Sequence, residues 1–533
     1  MKRINLLVGV TVSLSCVTLI GCKKSDQEML NNKNILNITV PDYGYGTDWL
    51  VNLADGFTAK TGRKVNVKVT TSESGYVTSL RAGKAQYDIY VMREQVYSLV
   101  NNNQNNYTGR PCILANYDDI YNSEVPGEGI LFKDKMKDRY EAYNRTPTMI
   151  DNWNSHYYGV QWCDTAHGLV RNLDVWDRHP NWIVPNTTDE LITLCRTILA
   201  DNCTPFIYSY AYTYWWNACN IWISQYEGIE SMLGEQGFWN CYDTEGNQYT
   251  PDMWLRDGIL EGLRVLDEIC KDSNHFNHGY SKSVDFTTAQ GYFLIPSQKI
   301  AMMANGDWLY REMSKNYANA RIEMIKTPVV SAIRNHPDCE GTIESDEELS
   351  ALIKAIDNGE TALIKAGEYN VSESAYRKVA EARNLYTCAG SMNHVMVSPS
   401  YSDSLDIVKD FFLYMATDEG MMKFAKGSGG FAPAFDGSVS VYDYCDSISN
   451  DFVKSSEKVK RNKQVAPWPV FSNLLFTLGG LATKPVIDTG YNSPELIFVQ
   501  TGSGYKSADE LFRWNYEHAS QHWSEYLTKA GLI

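Results

Sequence analysis

Apolar positions along this chain keep two rhythms. Ile35-Leu36-Asn37-Ile38-Thr39-Val40 reads as a strand, and Leu50, Leu53, Ala54 and Phe57 then fall at i, i+3, i+4 and i+7, the spacing of one helix face. Thr47 or Asp48 can cap that helix and Gly62 can end it. Val65, Val67 and Val69 alternate with polar residues as a second strand. A short helix from about Tyr76 to Ala82 follows, and Tyr87-Asp88-Ile89-Tyr90-Val91-Met92 is a third strand. This βαβαβ order predicts parallel strands joined by right-handed crossovers. Sheets of this kind bind ligands beyond the carboxyl ends of their strands, which here are Asp42 to Tyr45, Thr71 to Ser74 and Met92 to Glu94.

The pattern lapses in an asparagine-rich stretch from about Asn101 and resumes near Tyr157. Tyr158 to Trp162 and His167 to Asn172 read as strands joined by Cys163-Asp164-Thr165. Thr187 or Thr188 caps a helix with Leu191, Leu194, Cys195 and Ile198 on one face. Asp243-Thr244-Glu245-Gly246-Asn247 is a hairpin turn, without the acidic spacing of a calcium loop. Lys299 to Ala304 is a small apolar strand running into Asn305-Gly306-Asp307-Trp308 and a helix. Charged helical patterning with a capping box at Ser345 and Glu348 fills 339–386, an expected helical insertion. Val395-Met396-Val397 resumes a sheet. Leu405, Val408, Phe411, Phe412 and Met415 form a buried helix face, Asp418-Glu419-Gly420 starts another helix, and Ser507 with Glu510 caps a last one.

At 533 residues the chain exceeds what one core usually holds, about 250–300 residues, so two lobes are expected. A net charge of −16 argues against a nucleic-acid partner. The 35 Tyr and 14 Trp outnumber the 17 Phe, and such polar-tipped rings suit sugar and interface recognition as well as large cores. Lys2 and Arg3 precede an apolar run from Ile4 to Ile20, a secretory leader in form. Its end, Leu19-Ile20-Gly21-Cys22, resembles a bacterial lipobox. That resemblance implies a signal peptide over 1–21, lipidation of Cys22 (a palmitate-type anchor) and a flexible tether over 22–34 on the extracytoplasmic face of a bacterial membrane. The remaining cysteines form no Cys-x-x-Cys pair, and either disulfides or buried thiols fit their spacing.

Four segments, in order, resemble the family 1 extracellular solute-binding proteins of ABC importers, the group that includes maltodextrin-binding protein. They are Phe57-Thr58-Ala59-Lys60-Thr61-Gly62-Arg63-Lys64-Val65; Tyr158-Gly159-Val160 with Gly168-Leu169-Val170-Arg171-Asn172; Lys299-Ile300-Ala301-Met302 through Gly306-Asp307-Trp308; and Ala416-Thr417-Asp418-Glu419-Gly420 with Gly429-Gly430-Phe431-Ala432-Pro433-Ala434. Arg171 stands where that family usually has an aromatic residue. The resemblance implies an α/β, two-lobed periplasmic-binding-protein type II fold with a hinge and an interlobe ligand cleft. Lobe I would hold 35–150 plus 300–415, and lobe II 151–299 plus 416–533. The implied function is a monomeric carbohydrate receptor, most simply for an oligosaccharide, delivering to ABC transporter permease subunits.

Sugars need hydrogen-bonding side chains for their hydroxyls and aromatic faces for their C–H patches. The candidate ligand-binding residues lie at strand ends and family motifs: Tyr43, Tyr45, Ser72, Glu73, Arg93, Glu94, Trp162, Asp164, Trp215, Trp216, Asn305, Asp307, Trp308, Phe431 and Trp468. Ser72 and Glu73 also fit a solvated turn, Arg93 and Glu94 a surface ion pair, and Trp215 and Trp216 a helix core. No nucleophile elbow, phosphate loop or zinc helix is present, so no catalytic residue, metal or cofactor is expected. His275-x-x-His278 near Cys270 reads as a polar loop. A surface glycan-degrading hydrolase or lyase and a non-transport glycan-binding adhesin are the alternative readings.

Overall fold

The computed structural model describes residues 34–42, 44–92, 96–101, 112–137, 140–151, 154–209, 214–360, 371–388, 395–461, 464–467, 494–530 and 533. Cys22 and the leader lie outside the described residues. From the start of the described chain the elements are β1 (Ile35–Pro41), α1 (Asp48–Thr61), β2 (Lys64–Thr70), α2 (Tyr76–Arg81), β3 (Ile89–Met92) and α3 (Asp118–Tyr121). Next come β4 (Arg145–Pro147), β5 (Ser155–Tyr157), β6 (Val160–Gln161), β7 (His167–Asn172), α4 (Thr188–Ala200), β8 (Thr204–Phe206), α5 (Tyr214–Glu227) and α6 (Asp257–Cys270). Then follow β9 (Ile300–Gly306), β10 (Ile322–Ile325), α7 (Asp346–Asp357), α8 (Glu373–Asn384), β11 (Leu385–Cys388), β12 (Val395–Val397), α9 (Leu405–Ala416) and α10 (Asp418–Ser428). The last are α11 (Val439–Ile448), α12 (Asp451–Lys460), β13 (Gln464–Pro467) and α13 (Ala508–Ala530).

Local signals hold well. Gly62 ends α1 in the left-handed region, φ 72°, its N–H donating to Thr58 O. Thr187 caps α4 by accepting from the Glu190 N–H, and Ser345 and Ser507 accept from Glu348 and Glu510 in the two expected capping boxes. Thr47 precedes α1 without a side-chain cap bond. The 243–247 turn closes an antiparallel bridge between Tyr242 and Gln248. His278 accepts from the Tyr280 N–H in a polar loop.

The strands form two main sheets. The first has the order β2-β1-β3-β12-β6, and the second β13-β11-β7-β9-β8, with β10 also on β7. In the first, β1, β2 and β3 are parallel, with Ile35 opposite Lys64 and Ile38 opposite Ile89, while β12 runs antiparallel to β3 and β6. The second is mixed, with β7 antiparallel to β9 from His167–Gly306 to Arg171–Met302 and β8 parallel to β9. β9 is buried at every position, as expected of a strand covered on both faces. β2 is an edge strand whose residues stay partly exposed.

The pairing corrects the expected division of the chain. Of residues 300–415, expected beside the first three strands, β12 pairs with β3 and α9 packs on α1 there, but β9, β10 and β11 bond into the second sheet, and β6, expected in the second lobe, pairs with β12 in the first. Backbone pairing decides this: β9 lies between β7 and β8, and β11 between β7 and β13. The 339–386 segment therefore leads into the second sheet, with α8 packed on α5. Conversely α10 packs on α1 of the first sheet and α11 on α10, so the portion from 416 to about 448 sides with the first. Among the described residues of the C-terminal part, α12, β13, the short helix Glu495–Phe498 and α13 join the second, through β10, β11 and α6.

All nine cysteines whose state is described are free thiols, eight of them buried. They act there as small hydrophobes. No described helix is long and apolar enough to cross a membrane.

Candidate functional site

The sheet directions place most candidate residues before any side chain is considered. The carboxyl ends of β1, β2 and β3 share an edge with the start of β12 and the end of β6, because β12 runs antiparallel to both neighbours. In the second sheet the end of β9 shares an edge with the start of β7 and the end of β11. The chain passes from one edge to the other directly, through residues 162–166 between β6 and β7. The candidates at 45, 72–73, 162–164 and 305–308 all sit on these edges.

Four aromatic candidates meet there. Tyr45 presents its ring edge-on to Trp162, Trp308 and Phe431, with centroids 5.9, 6.3 and 5.1 Å away. Trp162 also stacks flat on Trp49 of α1, at 4.2 Å and 3°, with Phe424 of α10 beside both. Gly44 is required for this approach, since a Cβ there would come within 2.8 Å of the Trp308 Cβ.

Beneath the rings lies a charged network. The Tyr45 hydroxyl donates to Asp307 Oδ1, and Asp307 Oδ2 accepts from the Ala166 N–H (2.9 Å) and Lys460 Nζ (3.1 Å). Lys460 also donates to the Asp164 carbonyl (2.8 Å), pairs with Glu457 (2.5 Å) and lies 5.3 Å from the Phe431 ring centre. Asp164 Oδ2 accepts from Lys137 (2.6 Å), and its Oδ1 from the hydroxyls of Tyr140 (2.8 Å) and Tyr386 (2.7 Å). Both carboxylates are fully buried.

Burial disfavours the charged form of each acid, and the partners decide the outcome. For Asp164, burial pushes upward, but Lys137, Lys460 and the hydrogen bonds outweigh it and hold the carboxyl below its ordinary range. For Asp307 burial wins over Lys460 and the Tyr45 bond, and the carboxyl is raised to about 6. Lys460 is lowered by burial and raised more by Glu457, Asp307 and Asp164, so it stays charged. His167, at the start of β7 and 6.2 Å from the Trp308 ring, is pushed down to about 3 by burial and is neutral at pH 7.

The other candidates stand apart. Asn305 is buried in β9, its side-chain carbonyl accepting from the Gly306 N–H (2.7 Å), so it shapes the strand end. Ser72 sits in an exposed turn and accepts from the Ser74 N–H, which is the solvated-turn alternative. Glu73 follows it at that rim, partly exposed. Trp215 and Trp216 fall in the first turn of α5. Tyr43, Arg93, Glu94 and Trp468 lie outside the described residues.

Sequence reasoning missed Lys137, Tyr140, Tyr386, Glu457 and Lys460. For Glu457 and Lys460 a signal existed: they continue the buried face of α12, after Phe452, Val453 and Ser456, at helical spacing. Charges at core positions of a helix ask for buried partners. Lys137, Tyr140 and Tyr386 carry no comparable local mark.

No model of a known protein family matches the chain, and no curated protein does. Solved structures do match along nearly its whole length. The receptor RafE in complex with raffinose superposes with a TM-score of 0.52 at 13% identity, over 91% of this chain and 99% of RafE. The GacH receptor of Streptomyces glaucescens, solved unliganded and with acarbose, gives 0.54 at 15%, over 92% and 99%. The solute receptor AcbH, described as preferring β-D-galactopyranose, gives 0.51 at 12%, over 92% and 100%. With two sheets, a direct crossing between them and this likeness throughout, the chain has the two-lobed α/β fold of these sugar-binding solute receptors.

Proposed function

We propose that this chain is an extracytoplasmic receptor, lipid-anchored through Cys22, that captures a carbohydrate between its lobes and delivers it to an ABC permease. The observation that carries this reading is the cluster of Tyr45, Trp162, Trp308 and Phe431 where the strand ends of both sheets meet. All four rings are buried against one another here, so a ring-shaped, hydroxyl-rich solute would reach their flat apolar faces and polar edges only when the lobes part. Both oxygens of Asp164 and of Asp307 already accept from protein donors, so these acids act as the floor that positions the aromatic rim. A ligand touching both lobes only when they are closed would shift the equilibrium toward closure. The likeness to receptors solved with raffinose and acarbose favours an oligosaccharide.

The test is thermal melting of the soluble domain, beginning after Cys22, with raffinose, acarbose and galactose. A ligand at about 100 times its Kd adds about 2.7 kcal/mol, an easily seen rise. Binding that survives Trp308→Ala unchanged removes Trp308 from the site. Absence of any rise, with sugar released from a polysaccharide on standing, replaces the receptor by a glycan-degrading enzyme. The anchor is read separately: Cys22→Ser should move the protein from the membrane fraction to the soluble one.

A further inference from the structure

The network beneath the aromatic cluster is divided between the two lobes in a telling way. Tyr45 belongs to the first lobe, in the loop between β1 and α1. Lys137 and Tyr140 do too, because the Lys137 N–H donates to Ala434 O and Phe132 packs on Phe435, beyond α10. Asp307 ends β9 and Tyr386 lies in β11, both in the second sheet. Glu457 and Lys460 join it through α12, whose Ser455 hydroxyl accepts from the Met324 N–H of β10 (3.0 Å).

Asp164 sits on the crossing itself and is held from both sides, by Lys137 and Tyr140 from the first lobe and by Tyr386 from the second. A group on the axis of a rotation moves little, so these bonds can survive a change in lobe angle. The Tyr45–Asp307 contact is different. It joins residues 262 positions apart, in elements of opposite lobes, with no chain linking them locally. Lys460 holds the Asp307 carboxylate in place from the second lobe by binding it and the Asp164 carbonyl together.

We propose that the Tyr45 hydroxyl and the Asp307 carboxylate form the latch of lobe closure, with Asp164 as the pivot and Lys460 as the positioning residue that keeps Asp307 aimed at Tyr45. Opening breaks the buried Tyr45–Asp307 hydrogen bond together with the exposed Arg311–Asp48 ion pair (2.8 Å), and separates Tyr45 from Trp308 and Lys460 from the Phe431 ring, while the bonds of Asp164 persist. The latch biases the ligand-free protein toward the closed arrangement, and the solute's contacts add to that bias. This inference rests on the two-lobed fold and not on the solute being a sugar.

The experiment is small-angle X-ray scattering of the ligand-free soluble domain, wild type against Tyr45→Phe, with far-UV circular dichroism and melting on the same samples. Phenylalanine keeps the ring packing and removes only the hydroxyl. The expected result is a larger radius of gyration for Tyr45→Phe with unchanged secondary structure. An unchanged radius, with or without a lower melting temperature, overturns the latch and leaves a merely structural bond. A wild type already as extended as the variant overturns it equally. Should Tyr45→Phe fail to fold, Asp307→Asn is read in the same way, with the same two outcomes.

Discussion

Trp162 shows how one residue can be read correctly by position and still differ in its contacts. It follows β6 directly, at the strand end where a cleft edge was expected, but one face lies flat on Trp49 at 4.2 Å. Most of its surface is therefore buried against α1 and α10. Trp162→Ala should destabilise the protein by about 3–5 kcal/mol, through lost burial and a cavity, and Trp162→Phe by less. Denaturant midpoints with an unchanged slope measure this. A truncation that left the midpoint where it was would mean the stack contributes nothing. The acids carry the same lesson. Asp164 and Asp307 were legible from the strand ends and the Gly306-Asp307-Trp308 motif, whereas Lys137, Tyr386 and Lys460 were not. A carboxylate at a strand end is a local fact, and its partner's identity depends on where a residue hundreds of positions away is carried by the fold.

Elements meet at specific points that small residues permit. Gly427 in α10 lies against the start of α1, where a Cβ would overlap the Asp48 carbonyl and the Trp49 backbone. Backbone cannot step aside as a flexible side chain can, so Gly427→Ala should push α10 from α1 and destabilise by about 1–3 kcal/mol. A melting temperature equal to wild type would show that the helices separate freely. A second junction ties the β4–β5 hairpin to α3. Both ring nitrogens of His156 lie within hydrogen-bond distance of carboxylates, Asp118 at 2.6 Å and Asp151 at 2.8 Å. The bond to Asp118 leads the causes that raise the His156 pKa above its ordinary value. A raised pKa means the folded state holds the proton more tightly. The stabilisation is thus fully present below the ordinary histidine value, about 6.5, and is lost as pH rises through the folded value. The advantage of wild type over His156→Gln should shrink as pH rises from about 6.5 upward through the folded value, by less than about 1 kcal/mol at this partly exposed site. An advantage constant across that range would mean the imidazole is not charged when bound.

At the scale of the whole molecule the two buried acids pull stability in opposite directions with pH. Asp164, held below its ordinary range, stabilises above the unfolded value near about 3.9 and loses that contribution as pH falls through its folded value. Asp307, raised to about 6, binds its proton more tightly folded than unfolded, so its contribution declines as pH rises from about 4 through that value. Lys460, Glu457 and Asp164 surround it, and none is replaced in Asp307→Asn, which should remove the decline. Unfolding free energies of the two proteins across that window give the comparison, and parallel profiles would show that Asp307 does not titrate there.

The sequence by itself determined the local elements: the βαβαβ opening, the capping boxes, the polar-tipped aromatics at strand ends and the ordered motifs that pointed to a two-lobed α/β fold. Those features depend on near neighbours, on helical and strand periodicity and on turn chemistry, which lie within a few residues of one another. The division into lobes was decided only by the tertiary structure, because β9 and β11 choose the second sheet through backbone pairing with strands far away in sequence, and α10 returns to α1. Pairing of the buried charges was decided there too. Desolvation makes an unpaired buried lysine or carboxylate intolerable, but only the folded chain shows which opposite charge lies close enough to pair with it.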